Sequence, residues 1–254
     1  RNSDITQPSR HLGLVQAEEH PDLEAFLDMA AGLVMQSVDL DAMLDLAGGH
    51  ISQSLPLGDC SKITPPAQKI GIAKDAGFAF AYPHILADWR DQGADIVFFS
   101  PLAGDPVPEC EFVFLPGGYP ELHAGRLAAN DRFLTSLRTH ASTKPVYGEC
   151  GGYMVLGEGL IDAQGNGHRM AGLLKLETSF ARRKLHLGYR SLTAPDGPFP
   201  GRWAAHEFHY ASTLRAEGTP LFAARDAEGT DLGAMGLRHG LVSGSFAHLI
   251  DASP

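Results

Sequence analysis

The sequence predicts an α/β protein built on a doubly wound, largely parallel sheet. Three observations carry that reading. From Lys69 onward, short apolar runs alternate with stretches of helical spacing, the rhythm of strands joined by crossover helices. The runs at 96–99 (IVFF) and 111–115 (EFVFL) are almost continuously apolar, as expected of parallel strands buried on both faces. Two Gly-rich turns, Pro116-Gly117-Gly118-Tyr119-Pro120-Glu121 and Gly148-Glu149-Cys150-Gly151-Gly152, directly follow such strand-like runs. Both therefore fall at carboxyl ends of strands, where open α/β sheets bind ligands.

The elements follow in order. Residues 7–16 suggest an exposed turn and a short strand. A helix is expected from Pro21, with Asp22 and Glu24 in its first turn and Leu23, Phe26, Leu27, Ala30, Leu33 and Val34 on one face. Asp39 is placed to cap a second short helix, closed by Gly48-Gly49. One strand and two helices cannot cover those apolar faces, so residues 1–47 are expected to be the tail of a larger domain. The first residue, Arg1, fits a fragment or a processed product. Residues 48–68, rich in Gly, Pro and Ser without periodicity, suggest a linker in which Cys60 is incidental.

Residues 69–254 form the expected main domain. Strands are predicted at 69–74, 96–99 and 111–115, and helices over 82–92 and 121–140, the latter burying Leu122, Leu127, Phe133, Leu134 and Leu137. A strand through Val146 and Tyr147 then enters the Cys150 turn. Beyond Gly157 shorter strands are predicted at 173–178, 185–193, 203–211, 221–225, 233–238 and from Leu241, the last delivering His248 just beyond its end.

Composition narrows the function. The 254 residues carry a net charge of -10, which argues against nucleic acid and anionic membranes. No apolar run reaches membrane-spanning length. Three cysteines without CxxC spacing point to a reducing cytoplasm and no structural zinc. No G-x-x-x-x-G-K-[ST] phosphate loop occurs.

Gly148-x-Cys150-x-Gly152 between a strand and a helix is the cysteine form of a nucleophile elbow. The helix start beyond Cys150 is expected to favour its thiolate. Alone, the motif more often marks a buried cysteine at a Gly-rich turn than a nucleophile. A nucleophile needs a base and oxyanion donors. The amides of Gly151 and of the Gly117-Gly118 turn are natural donors, and His248 is the best-placed base. Asp251 is a local candidate to orient it. In His206-Glu207-Phe208-His209, strand alternation sends Glu207 and His209 one way and His206 and Phe208 the other; a Glu-His bond and ligand contact both remain open. Asp75, Phe78 and Tyr82 could line the same mouth. Arg182-Arg183-Lys184 is either a solvated loop or a contact for a polycarboxylate.

The segments Pro116-Gly117-Gly118-Tyr119-Pro120-Glu121-Leu122, Glu149-Cys150-Gly151-Gly152, His206-Glu207-Phe208-His209-Tyr210 and Gly244-Ser245-Phe246-x-His248 together resemble the cobyrinate or hydrogenobyrinate a,c-diamide synthases. Pro8-Ser9-Arg10-His11-Leu12-Gly13-Leu14 and Val38-Asp39-Leu40 look like the end of that family's synthetase domain. The resemblance implies a flavodoxin-like glutaminase domain of the triad type, with Cys150 and His248 catalytic and Gly118 and Gly151 forming the oxyanion hole. Glu207, His209, Tyr119 and Glu149 are then expected to contact substrate or support the site. Glutamine and a corrin polycarboxylate become the expected substrates, with ATP and Mg2+ acting in a synthetase domain, no cofactor or metal in this chain, and a homodimer as one assembly. The triad glutamate expected two residues after the histidine is Ile250 here. The alternatives are cobyric acid synthase, another cysteine hydrolase on this sheet, or a non-catalytic corrinoid- or partner-binding module.

Overall fold

In the computed structural model, the apolar runs from Lys69 onward pair into one parallel sheet, and that sheet places both Gly-rich turns. The structure describes residues 3–7, 9–10, 13–14, 17–47 and 63–253. The expected linker up to residue 62, Cys60 and the closing Gly48-Gly49 lie outside the described residues. The chain divides into two units, Arg1–Ser61 and Lys62–Pro254.

The first unit contains a two-stranded antiparallel pair, β1 (Ser9–Arg10) and β2 (Gly13–Leu14), and two helices, α1 (Leu23–Ser37) and α2 (Leu40–Leu46). The side chains of Asp22 and Asp39 accept from Ala25 N and Ala42 N, so both helices carry the acidic caps the sequence suggested. Neither helix buries a residue completely.

In the second unit, β3 (Lys69–Ala73), α3 (Pro83–Asp91), β4 (Asp95–Phe99), β5 (Phe112–Leu115), α4 (Ala124–Ala128), α5 (Asp131–Ala141), β6 (Val146–Glu149) and α6 (Gly151–Leu156) alternate as expected. There follow β7 (Gly159–Ile161), β8 (Gly167–Arg169), β9 (Lys175–Ser179), β10 (His186–Ala194), β11 (Gly201–His209), β12 (Ser212–Glu217), β13 (Phe222–Arg225), β14 (Asp231–Met235), β15 (Leu237–His239), β16 (Val242–Ser245) and β17 (Ala247–Ala252). The central sheet has the order β15-β16-β6-β5-β3-β4, parallel except for β15. Counting only its parallel strands along the chain, this is the doubly wound order 2-1-3-4-5. An antiparallel sheet, β14-β13-β10-β11-β17, and a smaller one, β12-β9-β7-β8, complete the unit.

Alternation along the central strands separates two cores. Val113, Leu115 and Val146 pack with Leu127, Phe133, Leu137 and Met154 on one face. Ile70, Ile72, Phe112, Phe114 and Tyr147 pack on the other with Trp89 of α3 and with Leu192, Trp203 and Leu249 of the antiparallel sheet. Ile63, ahead of β3, is buried in this second core, and its amide donates to Asp88 Oδ2 at 3.2 Å.

Three details differ from the sequence expectation. The apolar run 96–99 forms β4, which is an edge strand, so Phe98 is 39% exposed and is covered by Lys74 Nζ, 5.1 Å from the ring centroid. The single helix expected over 121–140 is broken: Asn130 caps α5 by accepting from Phe133 N, and Leu122 is half exposed in a 3-10 turn. The segment from Leu241 is two strands rather than one. β16 extends the parallel sheet, the chain turns at Phe246, and β17 joins the antiparallel sheet with His248 inside it.

The backbone around the Cys150 turn is packed too closely for side chains. A Cβ on Gly152 would overlap the Leu115 carbonyl, and one on Gly148 would lie 2.7 Å from the Gly152 carbonyl carbon. Gly152→Ala is therefore expected to destabilise the fold by about 1–3 kcal/mol or more, because its obstacle is backbone. Gly167→Ala, with nothing within 4 Å of the added carbon, should shift the melting temperature far less. Thermal denaturation of the two variants checks this contrast.

Candidate active site

β6 runs parallel between β5 and β16, and its last residue delivers the chain into a turn that α6 cannot leave without strain. Cys150 adopts φ 45°, the one positive φ outside glycine among the described residues. That conformation costs on the order of 1–3 kcal/mol. Three hydrogen bonds hold it: Cys150 N to Ser245 O at 2.8 Å, Gly152 N to Pro116 O at 3.1 Å, and Met154 N to Cys150 O at 3.1 Å. The elbow is thus tied to both neighbouring strands.

The Gly117-Gly118 turn lies against it. A Cβ on Gly151 would stand 3.0 Å from Gly118 N and 2.8 Å from Pro120 Cδ. The backbones carrying the two expected oxyanion donors are therefore adjacent, and only glycine allows that approach. Phe80 N donates to Gly117 O at 2.9 Å, and Tyr119 is buried with its ring edge-on to Phe80. Gly117 also faces His248: a Cβ there would lie 2.5 Å from its Cε1 and 3.2 Å from its Nε2.

His248 is 2% exposed. It sits opposite His206 across β11 and β17, and the two imidazoles stack with centroids 5.0 Å apart. Tyr82 meets His248 edge-on at 6.0 Å, and its hydroxyl lies 3.3 Å from His206 Nε2. Burial, reinforced by His206 and His209, lowers the His248 pKa to about 3, so the resting imidazole is neutral. Its Nδ1 lies 3.6 Å from Glu149 Oε2. Glu149 is itself buried, and Leu249 N donates to its Oε1 at 3.2 Å. Burial pushes the Glu149 carboxyl up to about 8, against the opposing pull of the Leu249 amide and the Tyr147 hydroxyl.

The thiol does not follow the sequence expectation of a ready thiolate. Burial, Glu121, Glu149 and Glu207 all raise the Cys150 pKa, while the Gly151 amide pulls the other way. A short helix start cannot offset desolvation and three acidic neighbours. The resting sulfur is a thiol. Cys110 is a free, buried cysteine ahead of β5, at the opposite end of the sheet, and its pKa is also raised, chiefly by burial.

Glu207 and His209 share the buried face of β11, as alternation predicts. His209 Nε2 lies 2.9 Å from Glu207 Oε1, and Arg190 donates to Glu207 Oε2 through Nε at 3.0 Å and Nη2 at 2.8 Å. Burial works to raise the Glu207 pKa, yet His209 and Arg190 together hold it below the ordinary value. The His209 ring is sandwiched between His186 at 4.6 Å and Phe246 at 3.8 Å. His186, Glu207 and His209 offer ligand atoms within 4.8 Å of one another, but the Arg190 guanidinium already balances the carboxylate.

Other candidates fall away from the site. Asp251 is exposed, and its carboxylate accepts from the adjacent Ala252 N at 2.8 Å, so it does not orient His248. Asp75 accepts from Ser100 Oγ, Leu102 N and Gly77 N and serves its own loop, while Phe78 is a core side chain. Of that trio, only Tyr82 meets the histidines. Arg182, Arg183 and Lys184 are exposed. Arg190 reaches Glu207 through the β10–β11 pairing, and Tyr82 at the start of α3 reaches His206, contacts that local motifs do not encode.

The profile of the CobB/CobQ-like glutamine amidotransferase domain matches residues 69–254. The chain is 51% identical over 255 residues to the hydrogenobyrinate a,c-diamide synthase of Brucella anthropi, covering 99% of this chain and 58% of that protein. It is 52% identical over 256 residues to the protein of the same name from Rhizobium meliloti, covering 97% and 57%. The chain thus spans less than two thirds of the length of these relatives. Among solved structures, PurLQS from Thermotoga maritima shares the fold with a TM-score of 0.50 and 16% identity, covering 72% of this chain and 87% of that one. With that match over residues 69–254, and with a strained cysteine at the strand–helix turn, glycine amides beside it and a buried histidine on β17, the chain belongs to the CobB/CobQ-like glutamine amidotransferase family.

Proposed function

We propose that this chain is the glutamine-hydrolysing part of a corrin a,c-diamide synthase, supplying ammonia for amidation of corrin side-chain carboxylates. The observation that carries the reading is Cys150, held at φ 45° beside the Gly118 and Gly151 backbones, with Gly117 of the same turn packed against His248. The named relatives, at 51–52% identity over nearly the whole chain, support the corrin as the acceptor. In this reading ATP and Mg2+ activate that carboxylate in the part of the protein this chain does not span.

The chemistry follows from the resting protonation states. Glutamine enters with its carboxamide carbon at Cys150 Sγ and its oxygen toward the amides of Gly118 and Gly151. Because the thiol is protonated at rest, attack requires that its proton pass to His248 Nε2 as the S–C bond forms. The tetrahedral oxyanion is held by the two amides. Its collapse breaks the C–N bond, and the same proton moves from His248 to the leaving nitrogen, releasing ammonia. Water then adds to the glutamyl thioester, giving glutamate and the thiol. A neutral imidazole is the form that can accept the first proton, and burial keeps it in that form. Glu207, His209 and Tyr119 line or brace the substrate side.

Cys150→Ala should abolish glutamate release from glutamine, whereas Cys110→Ser should retain it within about threefold, since Cys110 lies outside the site. In the whole protein, Cys150→Ala should lose glutamine-dependent corrin amidation but keep amidation driven by ammonium salts. Glutamine hydrolysis surviving in Cys150→Ala would overturn the assignment.

His248 also makes stability depend on pH. Its folded pKa of about 3 lies below the ordinary 6.5. The unfolded chain therefore binds a proton here that the folded chain refuses, and the stabilising contribution is full above 6.5 and lost as pH falls toward 3. Glu149 acts in the opposite sense, its contribution being full below its ordinary 4.5 and lost as pH rises to about 8. The difference in melting temperature between the parent and His248→Gln should thus shrink on acidification from neutral pH to about 5. An unchanged difference would show that the imidazole titrates normally.

A further inference from the structure

A histidine that takes a proton at Nε2 must carry its other proton on Nδ1, and a buried N–H needs an acceptor. Ile250 stands where an orienting carboxylate was expected and supplies none. Asp251 is turned outward and engaged with Ala252 N. Both oxygens of Glu207 are already bonded, one to Arg190 and the other to His209. His206 stacks on the ring face and directs its Nε2 to the Tyr82 hydroxyl.

One carboxylate oxygen faces Nδ1. Glu149 Oε2 and His248 Nδ1 are buried 3.6 Å apart, and neither has a hydrogen-bond partner. Both side chains are only 3% exposed. The other oxygen, Oε1, accepts from Leu249 N at 3.2 Å, which fixes the carboxyl beside the residue that follows the histidine. We propose that Glu149, the residue immediately before the nucleophile, is the positioning carboxylate for His248, replacing the one lost at position 250. A separation of 3.6 Å is longer than a hydrogen bond, and catalytic hydrogen bonds often tighten only in the substrate complex.

The arrangement has an internal logic. Glu149 ends β6 opposite Ser245 of β16, and the chain crosses from β16 into β17 immediately afterwards. His248 therefore descends onto the residue preceding the nucleophile. Glu149 accepts the Nδ1 proton and leaves Nε2 free to take the thiol proton. With its pKa raised to about 8, Glu149 is ionised in only a minor share of molecules at neutral pH, and that ionised form is the one that accepts from Nδ1 and stabilises the imidazolium. The groups facing His248 are then Glu149 from β6, His206 and His209 from β11, and Tyr82 from the start of α3, and among them only Glu149 is a carboxyl that can ionise near neutral pH.

This inference rests on the glutaminase reading, and the experiment separates the two. Labelling of Cys150 in the parent chain by a glutamine-mimicking electrophile tests that reading, and no labelling would sink it. Glu149→Gln tests the positioning role. Its carbonyl can still accept from Leu249 N, but its NH2 then faces Nδ1 and enforces the wrong imidazole tautomer. The glutaminase kcat should fall about 10²–10⁴-fold, with KM for glutamine and the melting temperature little changed. Glu149→Asp, which keeps the charge on a shorter arm, should recover at least about tenfold over Glu149→Gln. A kcat for Glu149→Gln within about threefold of the parent overturns the proposal. So does an Asp variant no better than the Gln variant, because a purely structural role gains nothing from the charge. Should Glu149→Gln not fold, Glu149→Asp decides alone: a lowered kcat at unchanged KM and melting temperature supports the role, and any other result overturns it.

Discussion

The site depends on the hydrogen bond from Cys150 N to Ser245 O. It joins the elbow to the last residue of β16 just before the chain leaves one sheet for another. Ser245 Oγ also accepts from Ala247 N at 3.1 Å, which tightens the crossing, and Phe246 is wedged between Tyr153 of α6 and His209 of β11. Because the crossing takes a single residue, β17 starts within reach of the elbow. A longer connection would leave His248 in the antiparallel sheet but remove it from the Cys150 turn.

Burial governs the electrostatics of that junction. Thiol, imidazole and the Glu149 carboxyl are each nearly inaccessible, and desolvation moves all three toward their neutral forms. The charged pair nearby, Arg190 with Glu207, is neutralised internally and bonded further to His209. A resting site with little net charge avoids stranding an ion in a low-dielectric pocket.

Much of this was legible in the sequence because it is local. Glycines around Cys150 and at 117–118 are dictated by backbone contacts a few residues away, and the buried runs of β3, β5 and β6 declare themselves by composition. What escaped depends on partners distant in the chain. The run 96–99 has the composition of a central strand, but strand order makes it an edge. Asn130 broke a helix whose apolar spacing continued across it. The sheet crossing at Phe246 was hidden inside one uninterrupted strand-like stretch. The resemblance already assigns Glu149 to substrate contact or site support, yet its proximity to Nδ1 follows from the β6–β16 register and the crossing together. The thiol's protonation was misjudged because a helix terminus is visible in sequence and burial is not.

The positive φ at Cys150 sets stability against chemistry at one position. Any L-residue there holds an unfavourable backbone, and glycine alone would relax it. The relief, on the order of 1–3 kcal/mol, is comparable to what so small a side chain gains by being buried. Selection for thermal robustness alone would therefore find little reason to keep a cysteine at residue 150 and would drift toward glycine, leaving a well-folded protein without a thiol at its elbow. A laboratory lineage evolved for heat tolerance without a catalytic screen would erase this residue early.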